Sequence, residues 1–298
     1  MRDAPPNPPI RVSIELALDR VFGQPAGVRA SRVIFPAMDT LELGLKGKVA
    51  IVTGASEGLG RATAERFAHC GAKVAMAARR PDVLDSAAQA IQKATGAELL
   101  VRATDVTKLA ELEALVASAI QQFGGVDILV NNAGTSSAVG LDAVTDEMWQ
   151  YDWDLKVMAA IRLSRLVIRS MKTRGGGAIL NVTTIGGKAP AARALPTSVT
   201  RAAGINLTKS LANEYAADGV RVNTICLGVV KSAQWTRRFK GGNLEAFYAD
   251  MAKQRRVPLG RLGEAEEFAD LAAFLVSDRA RFITGTSVNF DGGAAAVV

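Results

Sequence analysis

From Lys48 onward, short apolar runs alternate with longer stretches whose apolar residues recur every third or fourth position. The runs KVAIVTG (48–54), AKVAMAA (72–78), ELLVRATDV (98–106), DILVNNAG (127–134), AILNVTT (178–184), RVNTICLG (221–228) and TSVNFDGG (286–293) predict seven strands. Helical spacing fills 59–70, 81–96, 107–123, 145–173, 197–218 and 264–277. Strands alternating with helices imply a parallel sheet joined by right-handed crossovers and covered on both faces. The expectation is one doubly wound α/β domain, with no internal repeat and no linker after residue 48.

Residues 1–44 break this pattern. MRDAPPNPPIRVS is Pro-rich, and the following stretch carries arginines with little acidic balance. A targeting peptide has this character. Met38, just ahead of LELGLKGKVAIVTG, favours a disordered extension or an upstream start-site artefact before a domain at 45–298. Composition narrows the classes further. The chain of 298 residues is 49% hydrophobic, enough for a sizeable core, yet lacks the apolar run of about 18 residues that a membrane span needs. The net charge of +7 comes from dispersed basic residues without a nucleic-acid motif, so neither nucleic acid nor membrane is an expected partner. Cys70 and Cys226 are far apart, with no metal-ligand spacing, which points to a reducing, cytoplasmic setting and no metal site. The single histidine, His69, falls at a helix end, where a surface role outweighs catalysis.

IVTGASEGLG places Gly54, Gly58 and Gly60 between the first strand and the first helix. Glycines there permit a tight turn and close approach of a diphosphate, which the helix N-terminus favours through its N–H groups and dipole. Where a binder of the ribose 2′-hydroxyl presents an acid at the end of the second strand, this chain has Ala78, followed by Arg79 and Arg80. A guanidinium pairs with a 2′-phosphate that a carboxylate would repel, so NADP(H) is preferred over NAD(H), against the plainer reading of a solvated arginine pair.

T-G-x-x-x-G-x-G at 53–60, D-V at 105–106 and N-N-A-G at 131–134 resemble the classical short-chain dehydrogenase/reductase family. ANEYAADGVRVNTICLG and the closing segment from Arg261 to Gly293 continue the likeness, which covers about residues 45–293. The resemblance implies a Rossmann fold, a homodimer or homotetramer, and an alcohol or carbonyl substrate. It also implies a cofactor site built from Gly54, Ser56, Gly58, Leu59, Gly60 and Arg79, with Asp105 and Val106 flanking the adenine and Asn132 supporting the sheet.

The family's Asn-Ser-Tyr-Lys tetrad is not matched. Its positions hold Lys156, Thr184, Thr197 and Arg201. Threonine is a far weaker acid than tyrosine, and arginine does not exchange its proton. Thr184 retains a hydroxyl for a carbonyl oxygen, and Arg201 can still hold the nicotinamide ribose. Lys156 is the candidate proton donor, directly or through water, its pKa lowered by burial and by Arg201. A lysine turned to solvent is the competing expectation. Tyr151 falls on another helix face, Tyr215 lies too far along its helix, and Tyr248 reads as an amphipathic anchor more readily than as a group entering on closure.

Residues 231–261 occupy the substrate-lid region by the same resemblance. They hold Lys231, Arg237, Arg238, Lys240, Lys253, Arg255, Arg256 and Arg261 against Glu245 and Asp250, interspersed with Trp235, Phe239, Phe247 and Tyr248. One reading is an apolar pocket with a cationic mouth for an anionic substrate, and the other a solvated basic helix face. The functional expectation is an NADP(H)-dependent oxidoreductase with a non-standard proton donor. The alternative is an altered or inactive member that serves as a nucleotide-binding or oligomer-partner protein.

Overall fold

The computed structural model describes residues 42–236, 239 and 241–298, without the side chains of 233 and 234. The segment expected to precede the domain, up to residue 41, lies outside them. Seven strands, β1 (Val49–Thr53), β2 (Lys73–Ala78), β3 (Leu99–Ala103), β4 (Ile128–Asn131), β5 (Gly177–Thr184), β6 (Val220–Leu227) and β7 (Ser287–Phe290), form one sheet in the order β3-β2-β1-β4-β5-β6-β7. Every pairing is parallel.

The strands read as continuous apolar runs because both faces are covered. In β1, Ala50 and Val52 face a layer made by α1 (Gly58–His69), α2 (Pro81–Thr95) and α9 (Ala265–Val276). Val49 and Ile51 face the opposite layer, made by α3 (Leu109–Phe123), α5 (Ala159–Thr173) and α6 (Thr197–Tyr215). Phe67 on α1 and Phe268 on α9 are fully buried in the first layer, each stabilising the fold by about 1.5–3 kcal/mol relative to exposure.

Strand order reverses between β1 and β4, which opens a crevice beyond their carboxyl ends, the place where doubly wound sheets take ligands. Asn132 ties that edge together. Its N–H donates to Thr53 Oγ1 at 3.0 Å and its amide to the Thr53 carbonyl at 2.8 Å. A polar chain positions α6 against the sheet: Asn131 donates to Asn181 (2.9 Å), Asn181 to Thr208 (2.8 Å), and Thr208 meets Thr224 (2.5 Å).

Helical spacing over 145–173 resolves into α4 (Asp146–Trp153), a π turn at Asp154–Met158 and α5. The long helix after Thr197 ends at Tyr215, three residues early, in a 3-10 turn at Ala216–Asp218. The lid contains a one-turn α7 (Ala233–Thr236) and α8 (Leu244–Gln254), the latter capped by Asn243, whose side chain accepts from Glu245 and Ala246 N–H.

Candidate active site

At the cofactor end of the crevice, Gly60 packs so tightly that an added Cβ would run into the Gly54 carbonyl oxygen and the Asn132 amide. Among the described residues no side chain caps the N-terminus of α1, so its first-turn N–H groups, Leu59 among them, have no side-chain acceptor. Ser56 and Gly58 are half-buried in the same turn. Asp105 lies just past β3. Burial pushes its carboxyl up, but the Thr107 N–H (3.0 Å) and hydroxyl (2.8 Å), with Arg79 and Lys108 nearby, hold it below the usual range. Val106 turns its side chain into the core, leaving only its backbone for a nucleotide.

Arg79 and Arg80 have different surroundings. Arg80 is paired with Glu57 of the glycine turn at 2.6 Å. Arg79 is exposed, and its NH1 donates to the Tyr151 hydroxyl at 3.0 Å. The arginine pair of the sequence is therefore one cation neutralised by Glu57 and one held by a neutral phenol.

At the chemical end, the π turn carries Lys156 inward. Its side chain is 1% exposed and forms an ion pair with Asp152, one turn earlier on α4 and 0% exposed. The same Nζ donates to Thr197 Oγ1 at 3.1 Å. Asp152 is held from its other oxygen by the Thr200 hydroxyl at 2.7 Å. Thr197 Oγ1 also accepts from the Ser137 N–H at 3.0 Å, which engages both lone pairs and leaves its O–H to donate. The solvent-facing lysine is thus not what the fold adopts. Burial, then the Arg201 guanidinium, lower the Lys156 pKa to about 8 against the opposing pull of Asp152.

Arg201 NH1 donates to the Val182 carbonyl at 2.6 Å, and NH2 lies where a Cβ on Gly134 would approach to 2.7 Å. Its Nε is buried and has no hydrogen-bond partner among the described residues. Lys156, Thr200 and Arg201, with Asn131, Asn181 and Thr183, line a cavity of about 20 Å³, room for one water molecule. Burial lowers the guanidinium pKa to about 10, so it stays charged at neutral pH. Thr184 ends β5, half-buried, and among the described residues no hydrogen bond joins it to Lys156, Thr197 or Arg201. The structure brings Lys156, Thr197 and Arg201 near one another and adds Asp152, Thr200 and Ser137, which sequence reasoning missed. The signals for the first two were an acid four residues before the lysine and a hydroxyl three residues after Thr197.

A family model described as enoyl-(acyl carrier protein) reductase matches residues 54–295. The 3-oxoacyl-(acyl-carrier-protein) reductase FabG of Vibrio cholerae is 39% identical over 251 residues, 84% of this chain and 98% of that protein. The chain belongs to the short-chain dehydrogenase/reductase family. Among solved structures, L-sorbose reductase from Gluconobacter frateurii, complexed with NADPH and L-sorbose, shares 37% identity with a TM-score of 0.83, covering 87% of this chain and 100% of that one. An NADPH-bound short chain oxidoreductase from Pseudomonas aeruginosa PAO1, described as containing an atypical catalytic center, shares 35% identity at a TM-score of 0.83, over 86% and 99% of the two chains. Membership places this protein among oxidoreductases that use a nicotinamide cofactor.

Within this short-chain dehydrogenase/reductase, two cations of the segment 231–261 are paired with acids. Lys231 is paired with Glu264 (2.8 Å) and Glu245 (3.2 Å), and Arg261 with Glu267 (2.6 Å), so Glu264 and Glu267 from beyond residue 261 add to Glu245 in neutralising them. Lys253, Arg255 and Arg256 are exposed, whereas Arg237, Arg238 and Lys240 lie outside the described residues. The aromatic residues build the lid's own core. Tyr248 is 6% exposed, packs with Met251, Val257 and Leu262, and meets the Thr236 hydroxyl at 3.0 Å, which makes it an anchor. His69 is exposed at the end of α1. Among the described residues no group of side chains suits a metal ion, and no helix is long and apolar enough to cross a membrane.

Proposed function

We propose that the protein is an NADP(H)-dependent oxidoreductase interconverting a carbonyl and an alcohol, with Lys156 donating its proton through Thr197. The observation that carries this reading is the hydrogen bond from a buried, pKa-lowered ammonium to a hydroxyl at the tetrad's tyrosine position. The uncapped start of α1, the close-packed Gly60 and the exposed Arg79 at the end of β2 fit a dinucleotide with a 2′-phosphate. The cofactor, when bound, supplies or takes the hydride.

In the reducing direction Thr197 O–H donates to the substrate oxygen, with Thr184 as the second hydroxyl assigned there. As negative charge grows on that oxygen, it takes the Thr197 proton while Thr197 takes one from Lys156, so no threonine alkoxide accumulates. One proton leaves Lys156, which becomes a neutral amine beside Asp152. A donor with a pKa near 8 is matched to work close to neutral pH. Asp152 and Thr200 fix where the lysine points, and Arg201 supplies the positive potential that makes it give up its proton.

The test is NADPH consumption over a panel of carbonyl compounds. Thr197→Val is expected to keep NADPH affinity and lose about 100-fold or more in turnover. Because removing one member of a buried pair is destabilising, the matched Asp152→Asn/Lys156→Met variant serves beside it. Parent-like turnover in either rules out the relay.

A second reading, a nucleotide-binding relative without turnover, is favoured by one observation. All three tyrosines are placed elsewhere: Tyr151 on Arg79, Tyr248 in the lid core, and Tyr215 at the far end of α6. Activity that appears only in Thr197→Tyr/Arg201→Lys would select it.

A further inference from the structure

Tyr151 and Asp152 are neighbours on α4 with opposite environments. Asp152 is fully buried under the chemical site, while the Tyr151 ring is 44% exposed. The phenol crosses 72 residues of sequence to accept a hydrogen bond from Arg79 at 3.0 Å. Arg79 follows β2 directly, and the alternative cation, Arg80, is taken by Glu57 at 2.6 Å. Asp105, the acid whose field reaches Arg79, is engaged by the Thr107 N–H and hydroxyl.

From this geometry we propose that Tyr151 is a specificity-determining residue that holds the Arg79 guanidinium in place for the 2′-phosphate of NADP(H). The inference rests on the cofactor reading above and adds a residue to it. An exposed arginine loses considerable rotamer freedom when it clamps a phosphate. A phenol oxygen that already holds one N–H at the rim of the crevice removes part of that loss. Four of the five guanidinium donors remain for the phosphate. The effect is confined to ligands that carry the 2′-phosphate, because NADH makes no demand on Arg79.

The experiment is direct fluorescence titration of the full-length protein with NADPH and NADH, which requires no turnover. Tyr151→Phe deletes only a surface hydroxyl and is expected to weaken NADPH by about 3–10-fold while leaving NADH unchanged. Arg79→Ala should weaken NADPH more, and adding Tyr151→Phe to it should have no further effect. An equal loss for both cofactors, no loss at all, or a loss that persists in the Arg79→Ala background overturns the role of Tyr151. Parent protein that binds NADH as tightly as NADPH overturns the cofactor reading itself, and this inference with it. Parent preference for NADPH with an unchanged Tyr151→Phe variant defeats this inference alone.

Discussion

A lysine and an arginine stand near each other in a largely dry site with one carboxylate, Asp152, between their demands. Isolated buried charge is costly, and here part of the cost is met by lowering the proton affinity of Lys156. The folded pKa of about 8 lies below the ordinary 10.5, so the unfolded chain binds more protons between those values. The contribution of Lys156 to stability is therefore fully present above about pH 10.5 and lost as pH falls through about 8, a difference of about 3 kcal/mol. Denaturant unfolding at pH 7.5 and 10 should show most of this increment, about 2 kcal/mol, in the parent and lose it in Asp152→Asn/Lys156→Met. On the proposed relay, activity carries the same titration. Carbonyl reduction needs the ammonium and should decline above about pH 8, whereas alcohol oxidation needs the amine and should rise there. A profile flat across pH 7–9 in both directions would remove Lys156 from the reaction.

Elements are placed by small contacts at their ends. The N-terminus of α1 approaches β1 through Gly60, where a methyl would meet the Gly54 carbonyl and the Asn132 amide. Gly60→Ala should push the helix away from the crevice and abolish measurable NADPH binding, read by titration, with a fall in melting temperature. The lid behaves as a separate element with its own core of Tyr248, Met251, Ala252, Val257 and Leu262. Tyr248→Ala should raise the substrate KM and speed proteolytic cleavage within 241–261, while NADPH affinity stays unchanged. Strand and helix positions were legible in the sequence because buried parallel strands are continuous apolar runs and helices bury one stripe. The π turn at Asp154–Met158 was not, since one wider turn leaves the helical spacing over 145–173 intact. The acid partners of Lys231 and Arg261 were missed because Glu264 and Glu267 belong to the next element.

For the molecule as a whole, the reversal of strand order between β1 and β4 puts the cofactor turn, Asn132 and the Lys156–Thr197 pair along one edge of the sheet. Occupation of that edge should stabilise the entire domain, since a ligand at 100 times its Kd adds about 2.7 kcal/mol. A thermal-shift comparison should show a larger rise with NADPH than with NADH at equal concentration. Equal rises would contradict the role given to Arg79. The opposite edge is closed by Asp127, which accepts the Val49 N–H at 2.8 Å and binds Arg174 through both oxygens. Substituting Asp127 by Ala should lower the melting temperature without altering the NADPH-to-NADH ratio.

By itself the sequence determined the layered fold and the glycine turn, because apolar period and turn chemistry are local properties. Lys156, Thr197 and Arg201 were picked out there only through the resemblance to the short-chain dehydrogenase/reductase family. Only the tertiary structure decided that Lys156 points inward, that it pairs with an Asp152 held by Thr200, and that Thr197 accepts its hydrogen bond. Those groups come from the π turn, α4, α6 and the Ser137 loop. The balance of burial, ion pairing and repulsion that sets a proton's affinity exists only once separate segments share a dry space.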